Sequence, residues 1–550
     1  MMPLSLIDHP TTRHFFSLLS PEFSAPSRRT LGRDIDQAWA TAKSDLSNAL
    51  YEASYVATTA DSWTAHNRAF IGMTCHWIGQ NLRRQRGTLA CKEIKEKQTN
   101  VVLAQAIYDT HQEFGLGNKV VATTTDNGTN YVAAFKYFGA GDVPVEGEEE
   151  QDPEVVVGQP ANLHAQLKEV VPAMIKLPKH YRCSAHTLNL IATADVHSVP
   201  GWNQGFRAPF TKAAAKAQGT WNLQNRSSVV TNSIKEKTGR KLKTFCVTRW
   251  NSYYDAIQSL MDVLSNPEKM RALNEILSKG GAATFNEMDK HVLSEYLKVM
   301  QPVAECLDSL QSETNAYMGT LMPALQLMQF QLERLKVDRN LQFALPLVSA
   351  LLGKEGSGKG CYGRFADQLQ DADILMATAL HPHYTMSLVR HFNPDQAANI
   401  QGRIVREVKE IVGTELERQP EERKERVDKF HLLLSSATVP EVRYQEEVEE
   451  TIVKTLEDWK REMVDIPLSP NLFPARYRDA WLDLFKRYNT PLPSSAAVER
   501  LFSSAGDILR AKRSSLSNVN FEQLVFVRGN MHLLDYKDVG QQHMEEEQDL

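Results

Sequence analysis

The chain has 550 residues, 42% of them hydrophobic, with a formal net charge of −5 and six cysteines, none in a C-x-x-C pair. That length is a prior for about three to four domains, and no apolar run reaches the roughly 18 residues of a membrane-crossing helix. The negative total counts against a uniformly basic nucleic-acid binder, and so few cysteines point to free thiols in a reducing compartment rather than a disulfide framework.

Residues 1–50 read as a helical segment, broken by the turn-rich "PEFSAPSRRT" and continuing in "LGRDIDQAWATAKSDLSNALY". The opening "MMPLSLIDHP" lacks the basic-then-apolar layout of a signal peptide. From Tyr55 the pattern changes. "SYVATT", "AFIGMTCHWI" and "TLACKEI" read as three strands, with "AHNR" and "GQNLRRQRG" as turns. "NVVLAQAIYDTHQEFG" is an amphipathic helix, "KVVATTTDNG" a fourth strand and "YVAAFKYFG" another helix. The loop "GDVPVEGEEEQDPEVVVG" holds seven acids and no base. "ANLHAQLKEVVPAMIKL" then reads as a helix and "YRCSAHTLNLIATA" as a strand passing into a helix. Three strands, a helix, a strand, a helix and a strand make an α/β layout, with a crossover that permits a parallel pair. From about 200 to 475 period-3.6 apolar spacing runs nearly unbroken, and no fixed repeat is visible. A helix at "AWLDLFKRY" precedes "PLPSSAAVERLFSSAGDILRAKRSSLS".

Val-Ala-Thr-Thr-x-Asp is written twice, in "VATTADSW" from Val56 and "VATTTDNG" from Val121. One strand ending in aspartate before a turn is ordinary, because Asp forms Asx turns. Two such strands side by side place Asp61 and Asp126 where they can share a hard cation, as sites for phosphoryl transfer do. Such sites usually need a third acid. Glu499 is the candidate, beside the apolar stripe Val498, Leu501, Phe502, Ala505 and Leu509; an acid favoured at a helix N-terminus is the plainer account. Cys183 and His186 have zinc-like spacing but no second convincing pair, so a structural or DNA-facing role fits better. Arg249 and Trp250, beside a basic cluster, suit a phosphate clamp and a stacked base, or a buried core. "GKEGSGKG" nearly fits a phosphate loop, but Gly360 stands where the Mg²⁺-binding hydroxyl belongs, so no ATP site is expected. On "FEQLVFVRGNMHLL", Phe521, Leu524, Val525 and Val527 form an apolar face for self-association or for an internal contact.

"TTADSWT", "TTTDNGTN", "RCSAHTLNL", "TRWNSYYDA" and "SSAAVERLFSSAGDILRAKRSSLS", in that order, resemble the blocks of hAT-superfamily DNA transposases, above all their vertebrate relatives that carry a BED zinc finger. The resemblance implies a ribonuclease-H-like mixed sheet interrupted by a large all-helical insertion, and an Asp-Asp-Glu triad of Asp61, Asp126 and Glu499 binding Mg²⁺ or Mn²⁺. It implies DNA contacts at Cys183, His186 and Trp250, beside the Arg249 already singled out, a homodimer or higher oligomer through the C-terminal helices and a nuclear location; no membrane partner is expected. The domains expected are 1–50, a helical segment; 51–200, the first part of the catalytic fold; 201–475, the insertion; 476–537, its completion with the dimerisation region; and 538–550, an acidic tail. Two departures stand out. No Cys₂His₂ spacing appears before Tyr55, so the BED finger is expected to be lacking, and a block usually reading "LDPR" is here Leu380-His381-Pro382-His383.

Overall fold

The computed structural model describes residues 4–19, 25–139, 175–196, 206–245, 250–418, 441–510 and 516–534. The acidic loop and acidic tail lie outside them, as does all but the last three residues of the helix expected over "ANLHAQLKEVVPAMIKL". The chain divides into two compact units, 1–183 with 489–550, and 184–488.

The first unit is built on a five-stranded mixed sheet in the order β3-β2-β1-β4-β5. Its strands are β1 (Val56–Ala65), β2 (Arg68–Ile78), β3 (Arg84–Ile94), β4 (Val120–Thr125) and β5 (Lys179–Arg182). β1, β2 and β3 form an antiparallel meander, whereas β1–β4 and β4–β5 are parallel. The helices of this unit are α1 (Pro10–Leu19), α2 (Arg28–Glu52), α3 (Asn100–Glu113), α4 (Thr129–Phe138), α5 (Ala496–Ile508) and α6 (Asn518–Asn530). Ser27 caps α2 and Thr99 caps α3, each accepting a backbone N–H of the first turn.

Alternation along the strands sends residues to two separate cores. Leu46, Leu50, Val56, Ala60, Ile71, Met73, Leu103, Ile107, Ala134 and Phe135 join one, formed with α2, α3 and α4. Phe70, Cys91, Val498, Leu501, Phe502, Ala505, Phe521 and Val525 join the other, formed with α5 and α6. Helix α6 serves both, because Phe526 turns into the first core and stacks on Phe114. Phe526 takes the inward place expected for Val527, which is only half-buried. Edge strand β3 is closed by Asn530, whose side-chain amide accepts from Thr88 N (2.8 Å) and donates to Thr88 O (3.0 Å). That pairing mimics a strand on an otherwise open edge.

Every named element of the second unit is helical, among its described residues. They include Arg207–Arg226, Glu287–Leu310 and Leu321–Lys336. Buried Glu295 accepts three successive backbone N–H groups, from Gln342, Phe343 and Ala344, and so closes the start of the next helix. His381 and His383 are both buried, and His383 shares a hydrogen bond with the Ile466 carbonyl at 2.9 Å. Burial, with His383 adding to it, holds His381 down at about 3, so this departure from the usual block is accommodated as neutral packing.

Candidate active site

The twin strings lie side by side in register. Ala57 faces Ala122, Thr58 faces Thr123, Thr59 faces Thr124 and Ala60 faces Thr125. Equivalent threonines of the two copies meet, with Thr58 and Thr123 hydroxyls 2.7 Å apart. Asp61 and Asp126 come next in each chain. Because side chains alternate, Asp61 falls on the face of Thr59 and Thr124, the face covered by α5, and Asp126 follows the end of β4 near enough for its charge to act on Asp61. The two strands end differently, against the expectation that each stops at its aspartate. β4 ends at Thr125, and Asp126 makes an Asx turn in which its Oδ1 accepts from Gly128 N at 3.1 Å. β1 runs on to Ala65 because β2 continues beside it, pairing Asp61 with Gly72 and Trp63 with Phe70. The chain turns only at His66 and Asn67, both at positive φ.

Glu499 reaches this face through Gly72. A Cβ on Gly72 would lie 2.5 Å from the Phe502 ring and 2.8 Å from the Val498 side chain. Glycine directly opposite Asp61 therefore lets the first turns of α5 lie flat on the sheet. Trp63 stacks on Phe502 with ring centroids 5.7 Å apart and fixes the helix further along. The segment leading into α5 is tied down at three points. Buried Arg84 donates to the carbonyls of Asn489 and Thr490 (2.7 Å each), Thr124 Oγ1 donates to Leu492 O (2.8 Å), and Ser495 N donates to Cys183 Sγ (3.2 Å).

Asp61 senses the other two acids. Burial pushes the Asp61 carboxyl up to about 8, aided by the charge of Asp126 and less strongly by that of Glu499, against the Ser62 N–H that donates to Asp61 Oδ1. Like charges in a poorly hydrated site disfavour ionisation. Perturbation of this kind, from burial plus specific charge partners, marks functional sites more often than surface pairs do. Among the described residues, no group of three or more His, Cys, Asp or Glu side chains is arranged to hold a metal ion as it stands.

Residues 59–138 match the family model of the ZBED1 RNase-like domain. The match supports a ZBED- and hAT-related origin for the chain. It spans most of β1, all of β2, β3, α3, β4 and α4, and includes Asp61 and Asp126 but not Glu499. No curated protein matches the chain.

Beside the RNase-like segment, the other sequence candidates fall in different places. Cys183 is fully buried, holding Ser495 at the entry to α5. His186 lies half-buried on the helix Ser184–Leu190, which opens the second unit. Arg249 lies outside the described residues, and Trp250 begins the helix Trp250–Leu264. The glycine-rich loop near Gly353 is held from within its own unit. Gly360 N donates to buried Asp195 at 2.8 Å, and Arg364 donates to both oxygens of the same carboxylate. Among described residues no helix is long and apolar enough to cross a membrane. Sequence reading passed over Gly72, whose signal was a glycine inside the strand "AFIGMTCHWI", and Tyr131, which carried no local signal.

Proposed function

We propose that this chain is a hAT-transposase-derived nuclear DNA-binding protein with an inherited site for metal-dependent DNA strand cleavage and transfer. Asp61, Asp126 and Glu499 would hold Mg²⁺ or Mn²⁺. The observation that supports the reading is the parallel, in-register pairing of the twin strands, which brings Asp61 and Asp126 together at its end, where the Asp61 carboxyl is raised by burial and by the charges of both other acids. Oxygen donors suit these hard cations, and clustered, mutually repelling carboxylates are relieved by positive charge. When bound, the metal would stabilise the attacking and leaving oxygens of the displacement. The chain's own part is orientation, with Asp61 and Asp126 each fixed through Oδ1 by a backbone N–H. In the reaction, water adds to a phosphodiester phosphorus and its bond to the 3′ oxygen breaks, leaving a 3′-hydroxyl and a 5′-phosphate. That hydroxyl then attacks a second phosphodiester and displaces its 3′ oxygen.

The test uses the full chain with hairpin-competent DNA ends, with Mn²⁺ or with chelator. Nicking by the wild type in Mn²⁺ alone, lost by at least about a hundredfold in Asp126→Ala, is the expected result. Equal cutting by that variant would remove the triad.

A second reading is a catalytically silent, dimerising protein acting on chromatin or transcription. A wild type that binds DNA but never cuts would decide for it. Self-association through the C-terminal region would need the outer face of α6, where Val519 is exposed, because Phe521 and Val525 are spent on the internal core.

A further inference from the structure

The spacing of Asp61 and Asp126 is bracketed by one helix. At its start, Gly128 N donates to Asp126 Oδ1, and a Cβ on Gly128 would approach that oxygen to 3.0 Å, so glycine permits the close turn. Tyr131, in the first turn of α4, is 3% exposed, and its hydroxyl shares a 2.8 Å hydrogen bond with Ser62 Oγ. Ser62 N in turn donates to Asp61 Oδ1 at 2.7 Å. Side-chain alternation puts Ser62 on the opposite sheet face from Asp61, so Tyr131 grips the strand from behind while the carboxyl faces α5. Burial, with the charges of Asp61 and Asp126 adding to it, holds the phenol well above its ordinary range, so it remains a neutral group.

We propose that Tyr131 is a positioning residue that, acting through Ser62, sets the separation of Asp61 and Asp126 for a divalent cation. The proposal rests on the metal-site reading above. Phe at this position would keep the ring in the core it shares with Ala134 and Phe135 and lose the hydroxyl link to β1. Residues that orient metal ligands typically change affinity by about 10–100-fold when removed.

The experiment measures Mn²⁺ affinity of the full chain by electron paramagnetic resonance, with the chelator-treated melting temperature recorded for every variant. Tyr131→Phe and Ser62→Ala are each expected to weaken Mn²⁺ binding by about tenfold. The double variant should lose no more than either single one, because both cut the same bond. Ser62→Thr, which keeps the hydroxyl, should stay within about twofold of wild type. Unchanged affinity in Tyr131→Phe, or fully additive losses, would overturn the role of Tyr131. Should Tyr131→Phe fail to fold, the contrast between Ser62→Ala and Ser62→Thr decides the matter. Asp126→Ala separates the two levels. Weakened binding there with normal binding in Tyr131→Phe rejects only the positioning role, whereas undiminished binding in Asp126→Ala rejects the metal site itself.

Discussion

Two residues other than the carboxylates bear on how firmly the sheet that carries them is held. Gly72 is the first. Adding branched carbons there forces the Phe502 ring and Val498 off the sheet, and Trp63 leaves that ring little room to yield. Gly72→Val is expected to destabilise the protein by about 1–3 kcal/mol and to lower Mn²⁺ affinity, because α5 carries Glu499. Urea denaturation and metal titration of one preparation check both, and wild-type behaviour in each would mean that α5 seats elsewhere. His111 is the second. It is buried, shares a 3.1 Å hydrogen bond with Thr58, and burial holds it down at about 4 against an ordinary value of 6.5. The unfolded chain therefore takes up a proton between pH 6.5 and 4 that the folded one refuses, so stability falls as pH drops through that window. The loss approaches about 3 kcal/mol at the acid end. Denaturation midpoints measured from pH 7 to 4 should show this slope, and His111→Gln should flatten it.

At the level of elements, the repeated string announced its own geometry. Copies of Val-Ala-Thr-Thr are narrow and β-branched because both faces of their strands are covered, and their register places like residue against like. The apolar stripe of α5 was equally plain, and Val498, Leu501, Phe502, Ala505 and Leu509 are all buried. What could not be read depended on partners distant in sequence. β1 looked finished at Asp61, because Asp and Ser resemble a turn, yet β2 pairs with it through Ala65. β3 begins at Arg84, within what reads as a polar turn. It is an edge strand, and Arg84 is consumed by the carbonyls of Asn489 and Thr490, roughly four hundred residues further on. The Tyr131–Ser62 bond likewise joins a helix to a strand 69 residues earlier, with nothing in either stretch to announce it.

Over the whole molecule, the first unit is written in two pieces, with 184–488 between them. The later piece supplies α5 and α6, and with them most of one of the sheet's two cores. A chain ending at Tyr488 would leave Phe70 and Cys91 facing water and Gly72 without its helix. Such a truncation is expected to aggregate, or to bind a hydrophobic dye and melt without a cooperative transition, whereas the full chain melts cooperatively. A soluble, cooperatively folding fragment would show that the sheet is stable without its second cover.

The same arrangement bears on synthesis. Glu499 follows Asp126 by 373 residues (499 − 126). At ordinary elongation rates, the ribosome needs roughly twenty seconds to over a minute to travel that distance. Throughout that interval the nascent sheet has one clothed face and one bare apolar face, so it is a natural client for chaperones that hold unfinished chains.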